Sequence, residues 1–161
     1  MQLRAAEPLD LEAIAGVWHE AWHDGHASLV PAELLPHRTR EYFRGLAQRQ
    51  LEQIVVGVQA EGIAGFVGVD EDELELLFVA RQARGTGVAR TLIERGEQTI
   101  SRRFARAYLV VVDANLRARR FYERCGWTDV GVEAYVAPIP GGGLPLACRR
   151  YEKVVHPGNA R

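Results

Sequence analysis

A β-rich run that ends at Val79, turns through Gly85 and Gly87 and re-emerges as an amphipathic helix constrains this chain more than any other feature. Leu74, Leu76 and Phe78 alternate with Glu73, Glu75 and Leu77, which is the period of a strand. Val88, Leu92 and Ile93 then share one side of a helix expected from about Gly87 to Ile100. Such a strand-to-helix turn leaves backbone N–H groups unpaired at the positive end of a helix dipole, a setting that suits phosphate. Glycine lets the backbone come close to an anion and adopt positive φ. Arg84 adds a forked cation beside it.

Several loops share that outline. A P-loop requires a lysine that is absent here. A dinucleotide fingerprint requires a third glycine, where Arg90 stands, and an acid about twenty residues on, where Arg103 to Arg106 lie. A coenzyme A type pyrophosphate loop and a glycine turn with no ligand both remain, and the two glycines alone favour the latter.

The rest of the chain orders itself around this turn. Leu3–Ala5 reads as a short strand. Asp10 is a plausible N-cap for a helix running to about Trp22 and ended by Gly25. A second helix is expected over Thr39–Arg49. Ile54–Val58 and Ile63–Val69 read as strands joined by a turn at Glu61-Gly62. Ala107–Val112 is a continuous apolar strand, Leu116–Cys125 a helix stopped by Gly126, and Val130–Val136 and Leu146–Val155 two more strands around a mobile loop at Pro138–Gly143. The expected class is α+β, one domain over residues 1–161. Its central mixed, mostly antiparallel sheet has about six to seven strands, flanked by about four helices.

A length of 161 residues fits one domain with a core of its own. The formal net charge of −1 argues against a nucleic-acid or membrane partner. No apolar run is long enough to span a bilayer and no signal peptide is visible at Met1–Ala5, so with Cys125 and Cys148 as its two cysteines the chain is expected to be cytoplasmic. Lys153 is the one lysine among 20 basic residues, so a phosphate-bearing ligand must be held by arginine or backbone amides.

Two blocks together are specific. Val79-x-x-x-x-Arg84-Gly85-x-Gly87-Val88-Ala89-x-x-Leu92-Ile93 is followed by Asp113-Ala-Asn115-x-x-Ala118-x-x-Phe121-Tyr122-Glu123-x-x-Gly126-Trp127. In this order and separation they resemble the acetyl-coenzyme A loop and the second conserved block of the GNAT acetyltransferase superfamily. The resemblance implies acetyl-CoA as co-substrate, no metal, and direct acetyl transfer to a primary amine, either a small molecule or a peptide N-terminus. It implies that the amides of Arg84, Gly85, Thr86, Gly87, Val88 and Ala89 hold the pyrophosphate. It further implies that the strand end at Leu77, Phe78 and Val79 pairs with the pantetheine arm, with Leu77 or Phe78 facing the thioester oxygen, and that Asn115 contacts the pantetheine. Residues 1–50 and the hairpin 128–161 would form the acceptor side around a coenzyme core at 51–127. A proline is common where Arg81 stands, which bears on loop stiffness. Dimers are frequent in the superfamily.

The chemistry names further residues. An alkylammonium with pKa ~10.4 is neutral about one part in a thousand near pH 7, so a carboxylate base is useful. Glu73 and Glu75 share a strand face; Glu73, four residues before Leu77, is the expected base through a water, and Glu75 an acceptor-orienting carboxylate. A solvated acidic edge is the plain alternative for both. Tyr122 is the candidate acid for the leaving thiolate, ~2 kcal/mol uphill at the ordinary values, with core packing beside Phe121 as its alternative. Arg119, with Arg117, Arg120 and Arg124, forms a basic helix face that is either solvated or near the coenzyme's 3′-phosphate. His19, His23 and His26 lie at i, i+4 and i+7, the first two on one helix face, with Gly25 expected to interrupt the helix before His26; a polar rim of the acceptor cleft is favoured over a metal site. The other functional reading is a non-catalytic acyl-CoA binding module.

Overall fold

The structure, a computed structural model, describes residues 1–156. In chain order it contains β1 (Gln2–Ala5), α1 (Leu11–His26), α2 (Arg40–Arg49), β2 (Ile54–Gln59), β3 (Gly62–Asp70), β4 (Glu73–Val79), α3 (Val88–Ser101), β5 (Arg106–Val112), α4 (Leu116–Arg124), β6 (Thr128–Ile139) and β7 (Gly142–Val154). Short 3-10 turns at Pro8–Asp10, Ala32–His37, Leu51–Gln53 and Arg81–Ala83 join them. The strands form one sheet in the order β1-β2-β3-β4-β5-β7-β6. Every pairing is antiparallel except β4 with β5, so the mixed α+β architecture expected from the sequence is the one found. Among the described residues no helix is long and apolar enough to cross a membrane.

Apolar side chains cover both faces of the sheet. On one face Leu92 and Ile93 of α3 pack with Leu74, Leu109 and Tyr151. On the other Trp18 of α1 and Phe43 of α2 pack with Phe66 and Leu76, and Trp18 stacks on Phe43 with ring centroids 5.3 Å apart. Leu74 and Leu76 therefore point to opposite faces, which strict alternation forbids. A β-bulge provides the change: Val69 pairs with Leu74 and Gly68 with Leu76, leaving Glu75 as the extra residue. Gly68 is needed there, because a Cβ on it would meet the Leu76 side chain at 2.8 Å.

Three local expectations are corrected. Asp10 does not cap α1 with its side chain; its carboxylate accepts from the Glu7 N–H at 2.8 Å and pairs with Arg4 at 2.7 Å. Gly25 does not end α1. The helix runs to His26 with Ala27 N–H bonded to His23 O, and Asp24 in this last turn is anchored by Arg81 and Arg84, which offsets the ~1 kcal/mol helix cost of glycine. Pro138–Gly143 is not an open loop. Pro138 pairs with Gly143 and Ile139 with Gly142, leaving a two-residue turn in which Gly141 has φ 79°. Pro138 fits β6 because that is an edge strand of the sheet. The last expected strand closes at Val154, and residues 157–161 of the expected domain lie outside the described residues.

Candidate active site

β4 and β5 meet where Glu73 lies opposite Tyr108, with the Tyr108 N–H donating to Asp72 O at 3.0 Å. Among the described residues that is the one point of β4–β5 pairing, so the second half of β4 has an edge without a strand neighbour. A cavity of about 450 Å³ opens beside it. Its walls come from Leu77, Phe78 and Val79 of β4, the loop through Gly85 and Gly87, Asn115, Ala118, Phe121 and Tyr122 at α4, and the last turn of α1. That volume lies within the range of small-molecule sites.

The bulge decides which amides face this opening. Ala80 N–H bonds to Ala64 O at 2.8 Å, and Phe78 lies opposite Phe66. Antiparallel ladders alternate, so the backbone groups of Phe78 turn toward β3 and those of Leu77 and Val79 turn toward the open edge. Of the two amides expected near a thioester oxygen, Leu77 has the required direction and Phe78 does not. The Phe78 side chain instead packs against Trp18 and Phe66.

The glycine loop is built as an anion cradle. Gly85 and Gly87 have φ of 74° and 88°, and a Cβ at either would meet nothing within 4 Å, so open space lies beside both. Gly87 precedes the first turn of α3 and supplies no side-chain cap, which leaves that turn's N–H groups for an outside acceptor. Val88 is buried and pins the helix to the core, while Thr86 donates its hydroxyl to Ala83 O; neither side chain lines the cavity. Gly85, Gly87, Ala89 and Arg84 do. Arg84 pairs with Asp24 at 2.9 Å, and Arg81 reaches the same carboxylate at 2.9 Å and Glu20 at 3.1 Å. The arginine in place of the frequent proline thus ties the loop to α1. These guanidinium bonds, from Arg81 first and then Arg84, hold the Asp24 carboxyl below its ordinary range.

The basic helix face divides. Arg117 and Arg124 line the cavity, as does Arg90 of α3. Arg119 does not: it donates to Asp113 O at 2.9 Å, Asp129 at 3.2 Å and the Tyr151 hydroxyl at 3.1 Å, which fixes α4 to the sheet. Asn115 borders the cavity while its side chain caps α4 by accepting from the Ala118 N–H at 3.2 Å. Tyr122 lines the cavity, and its hydroxyl has no hydrogen-bond partner among the described residues. Burial, with Cys125 nearby, pushes its pKa up to about 12. Proton donation to a thiolate of ordinary pKa ~8.5 then costs ~5 kcal/mol, more than the ~2 kcal/mol expected from the sequence.

Neither glutamate lines this cavity. Glu73, half-buried, accepts from the Tyr108 hydroxyl at 3.0 Å, and Glu75, more exposed, accepts from Gln50 at 3.0 Å. Burial raises both carboxyls above their ordinary values, against the lowering effect of these hydrogen bonds. Burial first, and Glu73 second, pushes Tyr108 to about 12, so Tyr108 is the donor of that pair. Glu75 is thus held at the end of α2 and Glu73 beside β5.

Of the histidines, His23 is bonded through Nε2 to Arg38 O at 2.7 Å, and His26 reaches the cavity wall. The sequence offered His26 as a rim residue of the acceptor cleft but ended the helix at Gly25, so its place on a continuous helix one turn after Trp22 was not foreseen. The four-residue step from Trp22 to His26, one helical turn, was the available signal.

A family model described as an acetyltransferase (GNAT) domain matches residues 30–141. Among solved structures, the chain resembles a GCN5-related N-acetyltransferase (aminotransferase, class-II) from Rhodopseudomonas palustris, at 19% identity and TM-score 0.72 over 92% of this chain and 93% of that one. It also resembles the PaiA N-acetyltransferase of Thermoplasma acidophilum in complex with coenzyme A, at 17% identity and TM-score 0.66 over 95% and 98%. A third likeness is to the spermidine N-acetyltransferase of Vibrio cholerae in complex with CoA and spermine, at 22% identity and TM-score 0.67 over 96% and 95%. At these identities the likeness is one of fold.

Proposed function

Since the chain belongs to the GNAT acetyltransferase family and is an acyltransferase, we propose that it moves an acetyl group from acetyl-CoA directly to a primary amine in the cytoplasm. The observation that carries this reading is the single cavity joining the glycine loop, the outward Leu77 and Val79 amides and the Tyr122 hydroxyl. Its fit to the co-substrate rests on the open space beside Gly85 and Gly87, the uncapped first turn of α3 and the arginines at its mouth. The amides from Arg84 to Ala89 would hold the pyrophosphate, with Arg84 leaving Asp24 to join them. Arg117 and Arg124, rather than Arg119, would meet the 3′-phosphate. The thioester supplies an activated acyl group.

The remaining roles belong to the chain's own groups. The Val79 backbone and the Asn115 side chain would align the pantetheine arm. The Leu77 N–H would donate to the carbonyl oxygen as negative charge grows there, the largest single kind of help in acyl transfer. Tyr122 would give its proton to the sulfur late, as the C–S bond breaks, because its raised pKa makes it a weak acid toward a neutral thioester. Glu73 would take the first proton of the incoming ammonium through a water, its raised pKa bringing it nearer to neutral pH. Glu75, held by Gln50, would orient the acceptor. α1, α2 and the β6–β7 hairpin would shape the acceptor side, for a small amine or a peptide N-terminus.

The test is thiol release from acetyl-CoA across a panel of polyamines, amino acids and peptide N-termini, alongside calorimetry with coenzyme A. Saturable, amine-dependent release supports the proposal. Coenzyme binding without release for any amine would refute it.

A further inference from the structure

We infer that His26 is a second base of this reaction, taking the proton that the acceptor nitrogen must lose after it has bonded to the acyl carbon. The inference rests on the acyl-transfer reading above and gives His26 a part that neither glutamate's position serves.

The placement comes first. α1 persists through Gly25, so His26 arrives on the wall of the cavity that also contains Leu77, Phe78 and Tyr122, whereas Glu73 and Glu75 stand outside that wall. The ring is fixed on two sides. Trp22, one turn earlier, stacks on it with centroids 5.3 Å apart and planes at 20°. The Trp22 carbonyl lies 3.0 Å from Nδ1. A carbonyl oxygen can only accept, so Nδ1 carries the proton. The neutral ring then has its lone pair on Nε2, on the side away from the α1 backbone, and Nε2 has no hydrogen-bond partner among the described residues. Burial keeps the imidazole below the ordinary histidine pKa, so the neutral, accepting form dominates at pH 7. The ionisable groups on the cavity wall around it are Asp24, Arg84, Arg90, Arg117, Arg124 and Tyr122. Arg81 also holds Asp24, at 2.9 Å, so when Arg84 turns to the pyrophosphate the Asp24 carboxylate stays paired and does not favour an imidazolium.

The chemistry needs such a group. An alkylammonium has three N–H protons and its amide product has one. The first leaves before attack, to expose the lone pair, and Glu73 with its water serves that step. When the N–C bond forms, the nitrogen becomes positive, and collapse in that state would expel the amine again. Nε2 of His26 takes this second proton. The C–S bond then breaks as Tyr122 protonates the sulfur, and the imidazolium returns a proton to the Tyr122 oxygen, restoring both side chains. The sum is thioester plus ammonium giving amide, thiol and one proton, the last released through Glu73.

Hydroxylamine separates the two bases, because it is small and already uncharged at neutral pH, and so needs only the second deprotonation. The probes are acetyl-CoA with hydroxylamine, read as hydroxamate, and acetyl-CoA with phenethylamine, read as thiol release. His26→Asn retains an N–H donor for the Trp22 carbonyl while deleting Nε2; His26→Gln serves as the second variant. We expect both variants to lose ~10²-fold in turnover with hydroxylamine, with coenzyme A affinity by calorimetry kept. The wild-type acid limb of kcat, set below the ordinary histidine pKa, should vanish with them. Glu73→Gln should instead raise the ratio of hydroxylamine to phenethylamine turnover. Full hydroxylamine activity in His26→Asn, an acid limb that persists in it, or no acceleration of hydroxamate formation by wild type would each overturn the proposal. Failure of wild type to bind coenzyme A would overturn the acyl-transfer reading beneath it.

Discussion

Gly87→Asp puts a carboxylate at the N-terminus of α3, where the cradle is proposed to hold pyrophosphate. Two effects follow, and they separate. Gly87 has φ 88°, in the left-handed region, so any side chain there costs the fold ~1–2 kcal/mol. No atom lies within 4 Å of the added Cβ, so no steric cost is added. The second effect acts on the ligand. A unit charge about 4 Å from a pyrophosphate charge repels it by ~1 kcal/mol in water and ~4 kcal/mol at the effective dielectric of a protein surface. The carboxylate also caps the free N–H groups of the first turn, which removes the donors themselves. Coenzyme A affinity should therefore fall at least tenfold, the equivalent of ~1.4 kcal/mol, and the loss should shrink in ~1 M salt, where the screening length is ~3 Å. Gly87→Ala is the control: it carries the same backbone cost and no charge, so it should lower Tm alike and bind coenzyme A far better. Calorimetry at low and high salt, with Tm measured in parallel, reads all of this. A folded Gly87→Asp protein that binds coenzyme A as wild type does would refute the pyrophosphate assignment.

Tyr122→Phe keeps the ring and deletes the proton donor, so turnover should drop ~10²-fold with coenzyme A affinity nearly unchanged. With its pKa near 12, Tyr122 stays protonated through pH 9, and wild-type kcat should show no alkaline limb from it below that pH. Glu73→Gln should slow turnover with alkylamines most at neutral pH and recover as pH approaches the amine's pKa, while Glu75→Gln should raise the acceptor KM with little pH signature; interchanged profiles would interchange the roles. Because burial raises the Glu73 pKa in the fold, ionisation favours the unfolded chain. Its contribution to stability is lost as pH rises from the ordinary carboxylate range through the raised value, so Glu73→Gln should raise Tm at pH 7 and leave it unchanged at pH 3. Leu92→Ala empties a fully buried site under the glycine loop and should cost ~2–5 kcal/mol in denaturant unfolding.

The local outline was legible in the sequence because it is set by local physics. Helical and strand periods depend on neighbours a few residues apart, and the strand, Gly85-x-Gly87 and Val88–Ile93 mark the strand-to-helix turn from neighbouring residues alone. The same holds for Asn115 and Tyr122, which α4 carries at fixed spacing. What the sequence could not decide depends on partners far along the chain. The bulge opposite Gly68 exists because β3 and β4 pair, and it selects the Leu77 amide over that of Phe78. Arg119 looks like its neighbours in sequence, yet Asp113, Asp129 and Tyr151 draw it away from the cavity that Arg117 and Arg124 line. Gly25 reads as a helix end until Arg81 and Arg84 bind Asp24 across the fold, and only that continuation delivers His26 to the cavity. Turn signals at Pro138–Gly143 marked a break, but cross-strand pairing carried β6 and β7 almost to the turn's tip. In each case a contact between distant segments outweighed a local preference of ~1 kcal/mol or less, and such contacts come into existence only when the chain has folded.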